Sequence, residues 1–429
     1  MQRVGRLGVF FVCLTISLES FAATVNGLFD AIMRRDQKAV MALLKQGAPV
    51  NSSRPDGSTP LAWAVQREDP EIATALIQAG ANVNAADENG ETPLSLACAN
   101  GNLALTRMLL DAKADVGAKR WSGDTPLMDA INSGNLAVVK LLLDRGAEIN
   151  VVESRMGQTP LMWAVAEGHP EIATLLIDRG ADVNVVTKHG YNALLFAALK
   201  GDAGTLKKLV AAKADPRFTA PDGGTAFTIA LGRGNEAVAR LMLEYGADVN
   251  TKDKTGSTPL HEAVRQGKID LVRELVKRGA DLKARTEPTP GRATAFSGPG
   301  GMTPFLTAAQ TGNIEMMKEL IGLGADVNEK TLDGSNGLLL AVTSRRLDAV
   351  KFLVENGVNV NDAPKGRGTA LHSAIRFGSN SIVQYLADHG ADFSIKDGFG
   401  RNAVEEADFE APKPTIELVK KLAAERSKQ

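Results

Sequence analysis

The sequence predicts an all-α repeat solenoid, built from helix-turn-helix units of 33 residues joined by β-hairpin-like turns, with about 11–12 units including degenerate caps. Three observations predict it. A segment like Gly-Ala-Asp-Val-Asn begins at Gly47, Gly80, Lys113, Gly146, Gly180, Lys213, Gly246, Gly279, Gly324, Gly357 and Gly390, in steps of 33, 33, 33, 34, 33, 33, 33, 45, 33 and 33. Each period carries two apolar patterns with helical spacing. Each of those helices is only roughly two turns long, and isolated helices below about 12–15 residues are marginal in water. Such units bury their apolar faces only by stacking on copies of themselves.

Thr159–Asn184 shows the unit most clearly. Thr159 is a helix N-cap, since its hydroxyl can accept from an orphan backbone N–H. Pro160 then takes the first helical position, where its missing N–H costs nothing. Leu161, Ala164 and Val165 fall on one face. Gly168 stops that helix, and His169-Pro170 starts the second, with Glu171 at its positive end. Ile172, Leu175 and Leu176 share a face. Arg179 sits near the negative end, and Gly180 is placed for a left-handed cap.

The chain divides accordingly. Residues 1–22 have the form of a secretory signal, with Arg3 and Arg6, an apolar run from Leu7 to Leu18, and the small-x-small site Ser20-Phe21-Ala22. The run is shorter than the roughly 20 apolar residues a spanning helix needs, and an uncleaved anchor is the alternative. Residues 23–54 form an N-terminal cap unit with Leu28, Phe29, Ile32, Val40, Leu43 and Leu44 inward and Arg34, Arg35, Asp36 and Lys38 outward, as a terminal repeat requires. Regular units fill 55–283. Lys113 and Lys213 replace the capping glycine, at a cost if the left-handed conformation is kept. Residues 284–301 are an inserted loop rich in Pro, Gly, Thr and Ser. Further units fill 302–396; in one, Gly337 stands at the proline position and Arg345 at the inter-helix glycine. A C-terminal cap unit covers 397–424, with Lys420, Lys421, Glu425, Arg426 and Lys428 giving its last helix a polar exterior, and 425–429 is a tail.

The phrases that open the units are TPLAWA from Thr59, TPLSLA from Thr92, TPLMDA from Thr125, TPLMWA from Thr159, TPLHEA from Thr258, TPFLTA from Thr303 and TALHSA from Thr369. With the 33-residue period they make the chain resemble the ankyrin-repeat family over nearly all its length beyond the signal. The resemblance implies a protein-binding surface rather than a catalytic one, formed by the turn tips and the exposed side of each first helix. Carried over by position, the candidate contact residues are Trp121, Asp124, Arg155, Met156, Lys188, His189 and Tyr191. Trp, Tyr and Arg are the types most enriched at binding hot spots, and Met suits adaptable ones. Trp63 and Trp163 lie inside first helices, where partial core packing with one edge on the concave face is expected.

Chemistry is sought and not found. Lys plus Arg is 49 and Asp plus Glu is 50, a balance with no general pull toward nucleic acid or an anionic membrane. Cys98 is the lone cysteine beyond the signal, in a small helix position expected to be buried and inert. His261-Glu262 begins like HExxH but lacks the second histidine; His261 and His372 instead occupy the histidine of the repeat phrase, which ties its turn locally. No phosphate loop or nucleophile elbow occurs. The expectation is a non-enzymatic module without cofactor or metal, monomeric, exported to the periplasm or beyond in a bacterial-type setting, with a protein partner. An envelope scaffold with many weak contacts, or an effector directed at a host, is the alternative.

Overall fold

The computed structural model describes residues 27–288 and 300–426. The signal reading of 1–22, the middle of the insertion and the end of the tail lie outside these residues. The described residues form twenty-four helices in twelve pairs, from 27–33 with Gln37–Lys45 to Ala403–Glu410 with Lys413–Arg426. Repeats are numbered by these pairs. No strand forms among the described residues; the turns between repeats carry isolated bridges at Thr219 with Thr225 and Lys330 with Asn336. Two compact units divide in sequence between Pro216 and Arg217, six repeats in each.

Within the first unit, helices Pro60–Gln66, Pro93–Ala99, Pro126–Asn132, Pro160–Glu167 and Ala193–Lys200 stack in order, each on the next. Their second helices form a parallel row. The second unit repeats the arrangement from Ala226–Gly232 onward. Leu61, Leu94, Leu127, Leu161 and Leu194 are all buried, so one leucine per repeat fills the seam between first helices of the first unit.

The local rules explain the helix ends. Thr59, Thr92 and Thr159 accept from the N–H three residues on. Gly168 and Gly180 are left-handed, with φ of 81° and 86°. Lys113 and Lys213 do keep the left-handed conformation of the glycines they replace, at φ of 69° and 70°. The loss of proline in repeat ten has a packing reason: a Cβ on Gly337 would lie 3.3 Å from the Ala309 Cβ of the preceding first helix. The insertion is closed at its neck, where Thr286 N–H donates to Met302 C=O at 3.0 Å and Gly301 N–H to Thr286 C=O at 2.7 Å. The last helix differs in one residue from the polar exterior expected of it. Arg426 folds back and donates to the Ala387 and Ala391 carbonyls, capping the end of Asn380–Asp388, the second helix of the preceding repeat.

A second set of ties joins repeats through the last residue of the Gly-Ala-Asp-Val-Asn segment. Asn361 Nδ2 donates to Gly390 C=O at 3.0 Å while its Oδ1 accepts from Asp392 N–H at 2.7 Å. Asn250 repeats this with Gly279 and Asp281, and Asn84 with Lys113 and Asp115. Each amide thus satisfies the carbonyl of the left-handed residue just past the next repeat's second helix.

Candidate functional site

The candidate residues fall on three consecutive turns of the first unit, those of repeats four, five and six. Main-chain bonds stitch the turns together. Ser154 N–H donates to Ser122 C=O at 2.8 Å, and Lys188 N–H to Met156 C=O at 2.9 Å. Trp121, Met156 and Lys188 therefore belong to one continuous edge.

Each turn is held by its own polar anchor. In repeat five, Glu153 is buried and accepts from the N–H groups of Arg155, Met156 and Gln158 at 2.6, 2.7 and 2.8 Å. Burial works to raise its pKa, but these backbone bonds outweigh it and hold the carboxyl below its ordinary value. In repeat six, Thr187 Oγ1 accepts from Tyr191 N–H at 3.0 Å. In repeat four, Ser122 Oγ donates to Asp124 at 2.8 Å.

On this frame Trp121 is 77% exposed, so its ring does not fold over a neighbouring repeat. Arg155, Met156, Lys188 and His189 are exposed as well, and Asp124 is half-buried. Tyr191 is different in kind: its ring packs against Phe196, with centroids 6.2 Å apart, and only part of it reaches solvent. Trp63 and Trp163 are half-buried, as expected of first-helix positions. Trp63 donates through Nε1 to Ser58 Oγ at 2.8 Å and covers the Arg54 guanidinium at 4.5 Å.

Sequence reasoning passed over two features. Val152 and Val186 extend the apolar edge, 49% and 46% exposed. Their signal was available in the internal alignment, because the same turn position is Lys119, Thr219 and Lys252 in other repeats. The second is a charge cluster beneath Trp121, where Arg120 joins Glu91 at 2.6 Å and buried Asp129 at 2.9 Å.

The histidines of the repeat phrase do structural work. Thr258 N–H donates to His261 Nδ1 at 3.2 Å, so Nε2 carries the proton that meets Met302 C=O at 2.9 Å in the next repeat. His372 does the same with Thr369 and Arg401. Burial holds both rings below the usual histidine pKa. Burial raises the Cys98 thiol far above its ordinary value, which keeps it in the inert protonated form. Among the described residues no group of three or more His, Cys, Asp or Glu side chains could hold a metal ion, and no helix is long and apolar enough to cross a membrane.

A family profile described as ankyrin repeats (3 copies) matches residues 28–120, 85–153, 118–187, 194–286 and 300–397. Among curated proteins, BRCA1-associated RING domain protein 1 of Caenorhabditis elegans is 40% identical over 81 residues, 19% of this chain and 11% of that protein. Palmitoyltransferase AKR1 of Lachancea kluyveri is 41% identical over 68 residues, 16% of this chain and 9% of that protein. Ankyrin repeat and SOCS box protein 11 of Homo sapiens is 35% identical over 80 residues, 19% of this chain and 24% of that protein. The chain thus spans about a quarter or less of the length of these relatives. The solved ankyrin repeat domain of Bcl-3 is 30% identical, with a TM-score of 0.45, covering 50% of this chain and 97% of that one.

Proposed function

The chain belongs to the ankyrin-repeat family, and from that premise we propose that it is a non-enzymatic module that binds a protein partner through the turn tips of repeats four to six. Ankyrin repeats are in general protein–protein interaction modules. The observation that carries the assignment to these repeats is Trp121. A large indole held 77% open to solvent has no packing reason to be there, and exposed apolar groups that cluster mark interaction sites. Arg155, Met156, Lys188 and His189 supply adaptable and charged contacts around it, and Tyr191 a partly covered edge.

The test is affinity capture with the chain from residue 24 as bait, beside a Trp121→Ala/Tyr191→Ala variant, read by mass spectrometry. A protein recovered by the native bait and lost by the variant supports the assignment. Equal recovery by both baits removes it from these turns.

Export belongs to the same reading. It rests on Arg3, Arg6, the apolar run from Leu7 to Leu18 and the Ser20-Phe21-Ala22 site. N-terminal sequencing of the chain recovered from a secreting host tests it. A product beginning near Ala23 supports cleavage and release. An intact N-terminus in the membrane fraction supports the anchor.

A further inference from the structure

The edge proposed above as the binding surface has a chemistry that says what it takes. Four exposed apolar side chains gather there: Trp121, Val152, Met156 and Val186. The two bonds that tie Ser154 to Ser122 and Lys188 to Met156 make the three turns one strip. Stacked helices lie about 8–10 Å apart, so three turns span about 20 Å, the reach of roughly six extended residues.

Positive charge prevails on the second and third turns of this strip, while the first carries half-buried Asp124. Arg155 and Lys188 are exposed, and the salt bridges of the surrounding repeats join other residues: Lys119 with Glu148, Arg145 with Asp111, Arg179 with Asp144 and Lys208 with Asp178. Lys188 Nζ donates to a carbonyl, that of Ser154. The carboxylate of the central turn, Glu153, is buried and taken up by three N–H groups. The whole chain carries a formal charge of −1, so the excess is local. Toward repeat three the sign changes, since Glu91 and Asp129 share the single guanidinium of Arg120.

We propose that this strip takes an extended acidic segment of a protein partner, with a large apolar side chain seated on Trp121 and Met156 and carboxylates against Arg155 and Lys188. The proposal rests on the preceding assignment of the binding face. A protein segment fits better than a nucleic acid. A phosphate backbone calls for cations in number, whereas the strip offers two, Arg155 and Lys188, beside four apolar side chains.

The test is selection of random dodecamer peptides displayed on phage against the full chain, against Arg155→Glu/Lys188→Glu, and against Trp121→Ala/Val186→Ser. All four positions are exposed, and unchanged melting temperatures confirm that both variants fold. Peptides rich in Asp and Glu around a Trp, Leu or Phe are expected on the native chain. Their affinity, read by fluorescence anisotropy, should fall roughly tenfold or more on charge reversal and weaken with added salt. Peptides lost on the Trp121 variant but without acidic bias overturn the partner chemistry and leave the face standing. Peptides indifferent to both variants, or none above background, overturn the strip as well. A fluorescent oligo-dT bound as tightly as the best peptide overturns the choice of a protein segment.

Discussion

Arg120 Nη1 lies 2.9 Å from Asp129 Oδ1, and neither residue is of the type its position carries in the repeats before and after it. The turn position of Arg120 is an aspartate in Asp87, Asp253 and Asp397, where the carboxylate accepts the turn's own N–H groups at 2.8–2.9 Å. The helix position of Asp129 is apolar in Leu96, Trp163 and Phe196. Asp129 thus stands between repeats that place the apolar Leu96 and Trp163 at the same position. Arg120 answers only one of its oxygens and is shared with Glu91, so Asp129 Oδ2 is buried without a partner.

Stability should therefore depend on pH in part through this group. Burial raises the Asp129 pKa to about 7; Arg120 pulls the other way, and Glu91 and Asp124 add repulsion. Between about pH 4 and pH 7 the folded chain keeps a proton that the unfolded chain has lost, so this contribution to stability falls as pH rises through that window. His261 and His372 act in the opposite sense. Their lowered pKa values make the folded chain less stable on acidification, below the ordinary histidine value of 6.5. The difference between native chain and Asp129→Leu isolates the aspartate. Melting temperatures should converge near about pH 4 and separate toward neutral pH, with the leucine variant the more stable. Curves that stay parallel throughout would mean that Asp129 is ionised across the range.

The period, the helix pairs and the caps were legible because they are local: Thr159, Gly168 and Gly180 declare their roles within a few residues. What escaped is non-local or inverted. The terminal asparagine reads as a turn former, yet its carboxamide oxygen reaches Asp392 N–H from Asn361, 31 residues away. Asp129 carries no local signal: its burial, between repeats that place Leu96 and Trp163 at the same position, sets it apart. Val152 and Val186 drew no attention in the sequence, and it is the structure that exposes them. The candidate residues were legible by position, since a fixed repeat fixes which side chains reach a turn tip. That Trp121 stands open while Tyr191 leans on Phe196 depends on neighbours a repeat away or five residues on.

Leu161→Ala should cost about 2–5 kcal/mol, as for a fully buried leucine leaving a cavity. Leu161 lies in the seam between first helices, and repeats interact only with their neighbours. Hydrogen exchange should therefore accelerate first in repeats four to six of the first unit. Uniform acceleration across that unit would contradict nearest-neighbour coupling.

Asn361→Ala removes both bonds of one inter-repeat tie, at 3.0 and 2.7 Å. The site is near the surface, where water replaces part of the loss, so a cost of about 1 kcal/mol is expected. The amide of Asp392 should exchange faster, and with it the turn that follows the second helix of repeat eleven. An unchanged rate at Asp392 would show that the asparagine follows the turn rather than holding it.

Lys113 and Lys213 offer a gain instead of a loss. Each holds a left-handed backbone, φ 69° and 70°, that costs a residue with a Cβ about 1–2 kcal/mol. Glycine removes that strain but gives back part of it through the greater freedom of the unfolded chain. Lys113→Gly should therefore raise stability by about 1 kcal/mol, and adding Lys213→Gly should about double the gain, because the two sites lie three repeats apart and share no partner. The reverse change, Gly80→Lys at φ 87°, should cost a similar amount; a Cβ there meets nothing within 4 Å, so its effect would be backbone strain alone. Chemical denaturation of the three variants checks the sign. If Lys113→Gly destabilises while Gly80→Lys also destabilises, the lysine side chain contributes packing along the helix end that outweighs its strained backbone.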